Sequence, residues 1–275
     1  MDIDAIEPLI TENTKAIIVV HYAGIAVDMD KIMNLANKHN ILVIEDAAHS
    51  IDSFYKGKPL GGIGHLGTFS FHETKNIISG EGGMLAINDA RFKDRAEIIW
   101  EKGTNRAAFF RGEVNKYGWV DVGSSFLPSE PTAAFLYAQL ESLEKIQNKR
   151  KKLWSVYNRK LKKIAKKAGI KLPVIPDYAT NNAHMYHFIC NSLDERTDLI
   201  RFLKENNIYT VFHYLSLHKS PFYLDKYQGA PLPNTDNYSD CLLRLPMYYE
   251  LKTSEVAFVC EKITAFYEHR TLTQG

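Results

Sequence analysis

Short aliphatic runs alternate with helical apolar spacing along the first half of the chain. Ala16–Val20 (AIIVV) and Ile41–Ile44 (ILVI) are continuous apolar runs, the pattern of strands buried in a parallel sheet. Between them, Asp28 opens a segment whose Ile32, Leu35 and Ala36 form one apolar stripe ending near His39. This is the signature of an amphipathic helix with an aspartate cap. Strand, helix and strand in that order predict a right-handed βαβ unit. Helical spacing also occurs at residues 2 to 12, through Ile3, Ile6, Leu9 and Ile10, interrupted by Pro8. Thr68–Phe71 and Met84–Ile87 read as two further strands around the glycine-rich turn Gly80–Gly83. Asp89 then caps a predicted helix that reaches Lys102 and stops at Gly103.

From Thr104 to Phe126 the chain is aromatic and loop-like, with Phe109, Phe110, Tyr117 and Trp119. Pro131 to Ala168 keeps helical spacing through Leu136, Leu140, Leu143, Ile146, Leu153, Val156, Leu161 and Ile164. One long helix is expected there, with at most a bend near Asn148 and an end at Gly169. Such a helix serves as a bridge between domains, so the boundary is placed within it. Residues 1–148 form a large domain and 149–275 a small C-terminal α/β domain. In the small domain, His184–Cys190 and Ile208–Tyr214 are strand candidates, and Asp194 caps a helix to Asn206. Thr253 caps a final helix with Val256, Val259, Ile263 and Phe266 on its apolar face.

Composition narrows the class. The 275 residues are 45% hydrophobic and 24% charged with a formal net charge of +2, ordinary values for a globular protein. Cys190, Cys241 and Cys260 have neither metal-ligand spacing nor a paired framework, and read as reduced thiols of a cytoplasmic protein. The absence of an apolar run long enough to span a bilayer predicts no membrane association. The opening MDIDAIEPLITENTK lacks a basic start followed by an apolar core, so no signal peptide is expected. A strongly basic stretch runs from Lys149 through Arg150, Lys151 and Lys152 to Lys166 and Lys167. Its interleaved apolar residues explain that spacing as a solvated helix face, so nucleic-acid binding is not expected. His184 and His187 would point to opposite faces of a strand, so no metal site is expected.

The candidate chemistry lies between Ile41 and Gly83. Asp46 falls at the carboxyl end of a predicted parallel strand, where open α/β sheets bind ligands. Ala48, two residues on, would face the same way in extended backbone, and His49 follows. Ser70 and Lys75 flank the loop leaving the next strand. A carboxylate, a hydroxyl and a lysine held by rigid elements are what pyridoxal phosphate (PLP) requires. The carboxylate keeps the pyridine nitrogen protonated, the hydroxyl holds phosphate, and the lysine is both anchor and proton carrier. Taken singly, Asp46 is an ordinary turn former and Lys75 an ordinary solvated lysine. The combination carries the reading.

The strings VHYAG, DMDKIMNLANKHNILVIEDAAHS, YKGKPLGGIGHLGTFSFHETKN and GEGG resemble the DegT/DnrJ/StrS nucleotide-sugar aminotransferases, which are PLP enzymes of fold type I. EKGTNRAAFFRGEVNKYGWVDVGSSF, NNAHMYHFIC, VFHYLSLHKS and LLRLPMYYEL are most similar to the dTDP-4-oxo-6-deoxy-D-glucose transaminase subgroup. The resemblance covers nearly the whole chain. It implies an α/β fold with a mostly parallel sheet in the large domain. It makes Lys75 the Schiff-base lysine, Asp46 the pyridinium partner, and Ala48 the residue packed under the ring. His49, where many relatives carry Gln, would bond the ring hydroxyl, and Ser70 the phosphate. His213, Tyr214 and His218 would line the sugar-nucleotide pocket. Ser125 stands where many relatives use Asn to reach a partner subunit's phosphate. Pro128 to Thr132 also departs from the usual pattern. The implied reaction moves an amino group from L-glutamate to a dTDP-4-keto-6-deoxyhexose, in a homodimer with shared sites, for enterobacterial common antigen or related polysaccharides. Relatives carry a substantial segment before the equivalent of Asp2, so the large domain is expected to be incomplete at its amino end. That leaves a second reading, an inactive fragment or non-catalytic subunit partner. A third, sugar dehydration or epimerisation with the same cofactor, is disfavoured on the dehydration side by Lys75, since the dehydrating relatives carry histidine there.

Overall fold

The computed structural model describes residues 1–274. The chain forms two compact units, Met1–Lys145 with Pro176–Asn182, and Ile146–Ile175 with Ala183–Gly275. The sequence reading placed 176–182 wholly in the second domain, and the structure returns it to the first. The Tyr178 ring lies 5.2 Å from that of Tyr55, the Lys56 N–H donates to the Tyr178 carbonyl, and the Phe54 N–H donates to the Thr180 hydroxyl. These contacts hold the segment as a strap.

In the first unit, β1 (Ala16–Val20), α1 (Met29–His39) and β2 (Leu42–Asp46) make the predicted βαβ unit. The Asp28 carboxylate caps α1 by accepting the Lys31 N–H, and Asn40 ends it in the left-handed region. A small hairpin, β3 (Phe54–Tyr55) and β4 (Lys58–Pro59), precedes β5 (Leu66–Ser70) and β6 (Gly83–Ile87). The main sheet has the order β1-β2-β5-β6, its first three strands parallel and β6 antiparallel to β5. Ile17, Val19, Ile32, Ala36 and Val43 form the core beneath one face, joined by Tyr55 and Leu60. The apolar runs predict strands covered on both faces, yet on the other face Ile18 is 60% and Val20 45% exposed. Residues 2 to 12 contain only one 3-10 turn, Glu7–Leu9, because Pro8 interrupts the helical spacing.

The Asp89 carboxylate accepts the Arg91 N–H and caps a 3-10 turn rather than a long helix; α2 (Lys93–Trp100) and α3 (Arg106–Phe110) follow. The long predicted helix is two helices, α4 (Glu130–Glu141) and α5 (Leu143–Ala168). Ser142 separates them at φ −96°, ψ 6°, its N–H bonded to the Gln139 carbonyl three residues back. Apolar spacing runs through this junction and so did not reveal it.

The second unit takes up most of α5, then β7 (Tyr186–Ile189), α6 (Leu193–Glu205), β8 (Val211–Phe212), α7 (Pro233–Cys241), β9 (Leu242–Leu245) and α8 (Thr253–Gln274). Its sheet has the order β7-β9-β8, all antiparallel. The sequence reading missed α7 and the central strand β9. It also named Asp194 as the cap of α6, whereas Ser192 caps it by accepting the Glu195 N–H. Most lysines of the basic stretch lie on the solvent face of α5, but Arg150 is buried. Its guanidinium donates to the carbonyls of Ala183, His184 and Met247, at 3.1, 2.6 and 3.4 Å. Burial holds its pKa down to about 10.

Candidate functional site

The carboxyl end of β2 separates two adjacent acids to opposite faces of the sheet, as strand alternation requires. Glu45 points into the interior and is fully buried. Its carboxylate accepts from His21 Nε2 at 2.9 Å and from the backbone N–H groups of Gly61, Ile63 and Gly64 at 2.8, 2.7 and 2.5 Å. His21 Nδ1 accepts the Val27 N–H, so Nε2 is the nitrogen that carries the proton toward Glu45. Burial pushes the Glu45 carboxyl upward, but His21 and the three amides outweigh it and hold the group below its ordinary value. The close approach that this requires explains Gly67: a Cβ there would run into the Gly61 backbone.

Asp46 faces the other way and is half-buried. It is in register with Val20 on β1 and Thr68 on β5. Ser70, two residues beyond Thr68, therefore shares the Asp46 face, which is the open face of the sheet. The structure thus brings Asp46 and Ser70 onto one platform. Ala48 differs from the sequence argument. The strand ends at Asp46, whose Oδ1 accepts the Ala48 N–H at 3.0 Å, so Ala48 sits in a turn and strand alternation does not apply to it. His49 follows in the same turn. Its Nδ1 accepts the Ala23 N–H at 3.3 Å, and its ring meets Tyr22 edge-on. This arrangement leaves Nε2 as the donor nitrogen of a neutral ring.

Ser70 ends β5 and its Oγ accepts the His72 N–H, which leaves the hydroxyl proton to donate outward. Lys75 lies five residues on, half-buried, in the connection between the antiparallel strands β5 and β6. That connection is rigid. The Lys75 N–H donates to the His72 carbonyl, the Glu73 N–H to Gly80, the Ser79 N–H to Phe71 and the Phe71 N–H to Gly82. Gly80 and Gly82 adopt positive φ, which is the conformational reason for the glycine-rich turn. Ile77, fully buried, pins the loop from below. A carboxylate, an outward hydroxyl, a neutral imidazole donor and a lysine amine on a stiff loop are a donor set that fits PLP.

The remaining predicted residues stand elsewhere. Ser125 is exposed, in an isolated bridge with Glu101 at the end of α2. In the second unit, His213 and Tyr214 follow β8, and Tyr214 is largely exposed. Burial, then the Arg244 charge, lowers the His213 pKa. His218 is buried with its Nε2 3.3 Å from Asp236, an acid that Lys219 and Ser216 also contact. Among the described residues no helix is long and apolar enough to cross a membrane. The sequence reading missed the His21–Glu45 pair and the buried amide of Asn182. An acid inside an aliphatic strand was a visible signal for the first. Nothing in the string TNNAH marks the second.

The family profile described as DegT/DnrJ/EryC1/StrS aminotransferase matches residues 1–264. The UDP-4-amino-4-deoxy-L-arabinose–oxoglutarate aminotransferase of Shewanella sediminis is 32% identical over 96% of this chain and 70% of its own length. The GDP-perosamine synthase of Escherichia coli O157:H7 is 31% identical over 98% of this chain and 70% of its own. Among solved structures, Spr1654 of Streptococcus pneumoniae in its PLP-form superposes with a TM-score of 0.86 at 25% identity, covering 98% of this chain and 72% of that one. The chain belongs to the DegT/DnrJ/EryC1/StrS aminotransferase family, and its fold is that of the sugar aminotransferases.

Proposed function

We propose that this chain transfers the amino group of L-glutamate to the 4-keto carbon of a dTDP-4-keto-6-deoxyhexose, using PLP held by Lys75. The observation that carries the reading is the shared platform of Asp46 and Ser70 beside the rigid Lys75 loop. PLP supplies the electron sink that makes a carbon–hydrogen bond next to nitrogen acidic. Asp46, on the open sheet face, would keep the pyridine nitrogen charged. Ser70 would donate its hydroxyl to the phosphate, and His49 its Nε2–H to the ring oxygen. Lys75 would hold the cofactor and, as a free amine, would move a proton on Nζ. His213, Tyr214 and His218 are proposed to read the sugar nucleotide. The relatives' names include GDP- and UDP-linked sugars, so the dTDP preference rests on the later sequence strings.

A homodimer is part of the proposal. Its support is apolar surface that a second copy would cover: Trp119, Val122 and Phe126 are 81%, 77% and 60% exposed in the first unit. A cytoplasmic setting and a role in cell-surface polysaccharide synthesis follow from the same reading.

The test is a visible absorption titration of the purified chain with PLP, followed by L-glutamate, then by a panel of dTDP-, UDP- and GDP-4-keto-6-deoxyhexoses. A lysine-dependent band that glutamate discharges, with release of 2-oxoglutarate, supports the half-reaction. Turnover restricted to the dTDP sugar supports the substrate. A folded chain with no band refutes the catalytic reading and favours the non-catalytic one.

A further inference from the structure

Three turns of the candidate site meet at one buried residue. Asn182, at the end of the 176–182 strap, is fully buried. Its Nδ2 donates to the carbonyl oxygens of His49 and Ile51, at 2.7 and 2.8 Å. One carboxamide therefore spans the turn that carries His49. The Asn182 backbone oxygen in turn accepts from Nδ2 of Asn76, at 2.9 Å. Asn76 is the residue after Lys75 and is itself buried. The third turn is Tyr22–Gly24. Gly24 has φ +78°, and a Cβ there would collide with the Asn182 carboxamide. Ser53, at the end of the His49 turn, donates to the Gly24 carbonyl at 2.7 Å, and Ala23 donates to the His49 ring.

We infer that Asn182 is a positioning residue for this site: it sets the register of the His49 turn against the Lys75 loop and the Tyr22–Gly24 turn. The inference rests on the cofactor reading above. It reaches beyond that reading because the Asn182 carboxamide acts through the backbone of the turn, donating to the carbonyls of His49 and Ile51. Its two donors leave no freedom for the turn. With both carbonyls of residues 49 and 51 tied to one amide group, the His49 ring is held where the Ala23 N–H fixes its tautomer. Losing the amide takes the donor from two part-buried carbonyls and releases the ring, while the cofactor-contacting groups remain chemically intact.

The experiment compares wild type, Asn182→Ala, Asn76→Ala and a control, Ile32→Ala. Ile32 is fully buried in the α1 core and belongs to no turn of the site. PLP affinity and the pH midpoint of the visible band are measured for each, with hydrogen exchange of the apoproteins over residues 47–54 and 72–79. Asn182→Ala is expected to weaken PLP binding at least tenfold, to shift the band's pH midpoint, and to speed exchange in both segments. Ile32→Ala lowers the melting temperature but leaves the pH midpoint and both segments at wild-type values. Asn76→Ala speeds exchange in 72–79 alone and weakens PLP binding less. An Asn182→Ala protein with wild-type affinity, midpoint and exchange overturns the inference. If that variant does not fold, Asn76→Ala decides, and wild-type exchange in 72–79 overturns the link. A wild type that forms no band sinks the cofactor reading instead, and apoprotein exchange still judges Asn182.

Discussion

Replacing Glu45 by Gln tests how the sheet end is held. The carboxylate accepts four hydrogen bonds in full burial, two on each oxygen: His21 and Gly61 on Oε2, Ile63 and Gly64 on Oε1. Glutamine retains one acceptor oxygen and turns an NH2 toward the other two donors. His21 cannot relieve the clash by exchanging tautomers, because its Nδ1 already accepts the Val27 N–H. Two buried donors are left without acceptors, at about 1–3 kcal/mol each. The expected loss is therefore about 2–6 kcal/mol, a large share of ordinary domain stability. Urea unfolding measures it, and hydrogen exchange at Gly61, Ile63 and Gly64 localises it. The pH dependence gives an independent check. The Glu45 pKa is lowered in the fold, so its contribution is complete above the ordinary carboxylate range, ~4.3, and is lost as pH falls through the folded value. The gap between wild type and Glu45→Gln must narrow in acid. A variant within about 0.5 kcal/mol of wild type at neutral pH would refute the argument, as would a gap that acid leaves unchanged.

Lys75→Ala should abolish the visible band with PLP and glutamate-driven release of 2-oxoglutarate while leaving the melting temperature near wild type, because the half-buried side chain lies within a loop held by its own backbone bonds. Arg150→Leu strips the donors from three backbone carbonyls of the second unit and should cost about 2–4 kcal/mol by urea unfolding, against about 0.5 kcal/mol or less for exposed Lys163→Leu on the same helix. His187 is held down to about 4 by burial, with His213 and Arg244 adding to it. Its stabilisation is present above the unfolded value of ~6.5 and is lost as pH falls toward 4, up to about 3 kcal/mol, so His187→Leu should flatten that limb of the stability profile.

The parts of the fold that local pattern controls were legible. Ala16–Val20 was read to the residue and Asp28 as the cap of the helix that follows, because both depend on neighbours a few positions away. The misses share a different cause. Leu242–Leu245 is central to the second sheet but short, and only its pairing with Tyr186–Ile189 and Val211–Phe212 makes it a strand. The junction at Ser142 leaves the apolar spacing intact, so periodicity cannot report it. Arg150 sits in a basic run like its neighbours, and what distinguishes it is three carbonyls contributed from residues 183, 184 and 247. Asn182 is the same case at the candidate site: its acceptors, His49 and Ile51, lie more than a hundred positions away.

The dipeptide Glu45-Asp46 shows how one local motif divides between stability and chemistry. Both residues are acids at the end of the same strand, and the sequence treats them alike. Strand alternation sends them to opposite faces, but it does not say which face is interior. That is decided by the 61–64 segment, which packs three amides and a glycine contact against the Glu45 side and leaves the Asp46 side open. An ionised carboxylate can be buried only when its lone pairs are filled, and Glu45 meets that condition. Asp46 spends one oxygen on the Ala48 N–H and keeps the rest of its carboxylate on the open face that it shares with Ser70. A one-residue slip of β2 would exchange the two roles, burying Asp46 against donors placed for a longer side chain. The structural acid therefore fixes the register that makes its neighbour available for chemistry.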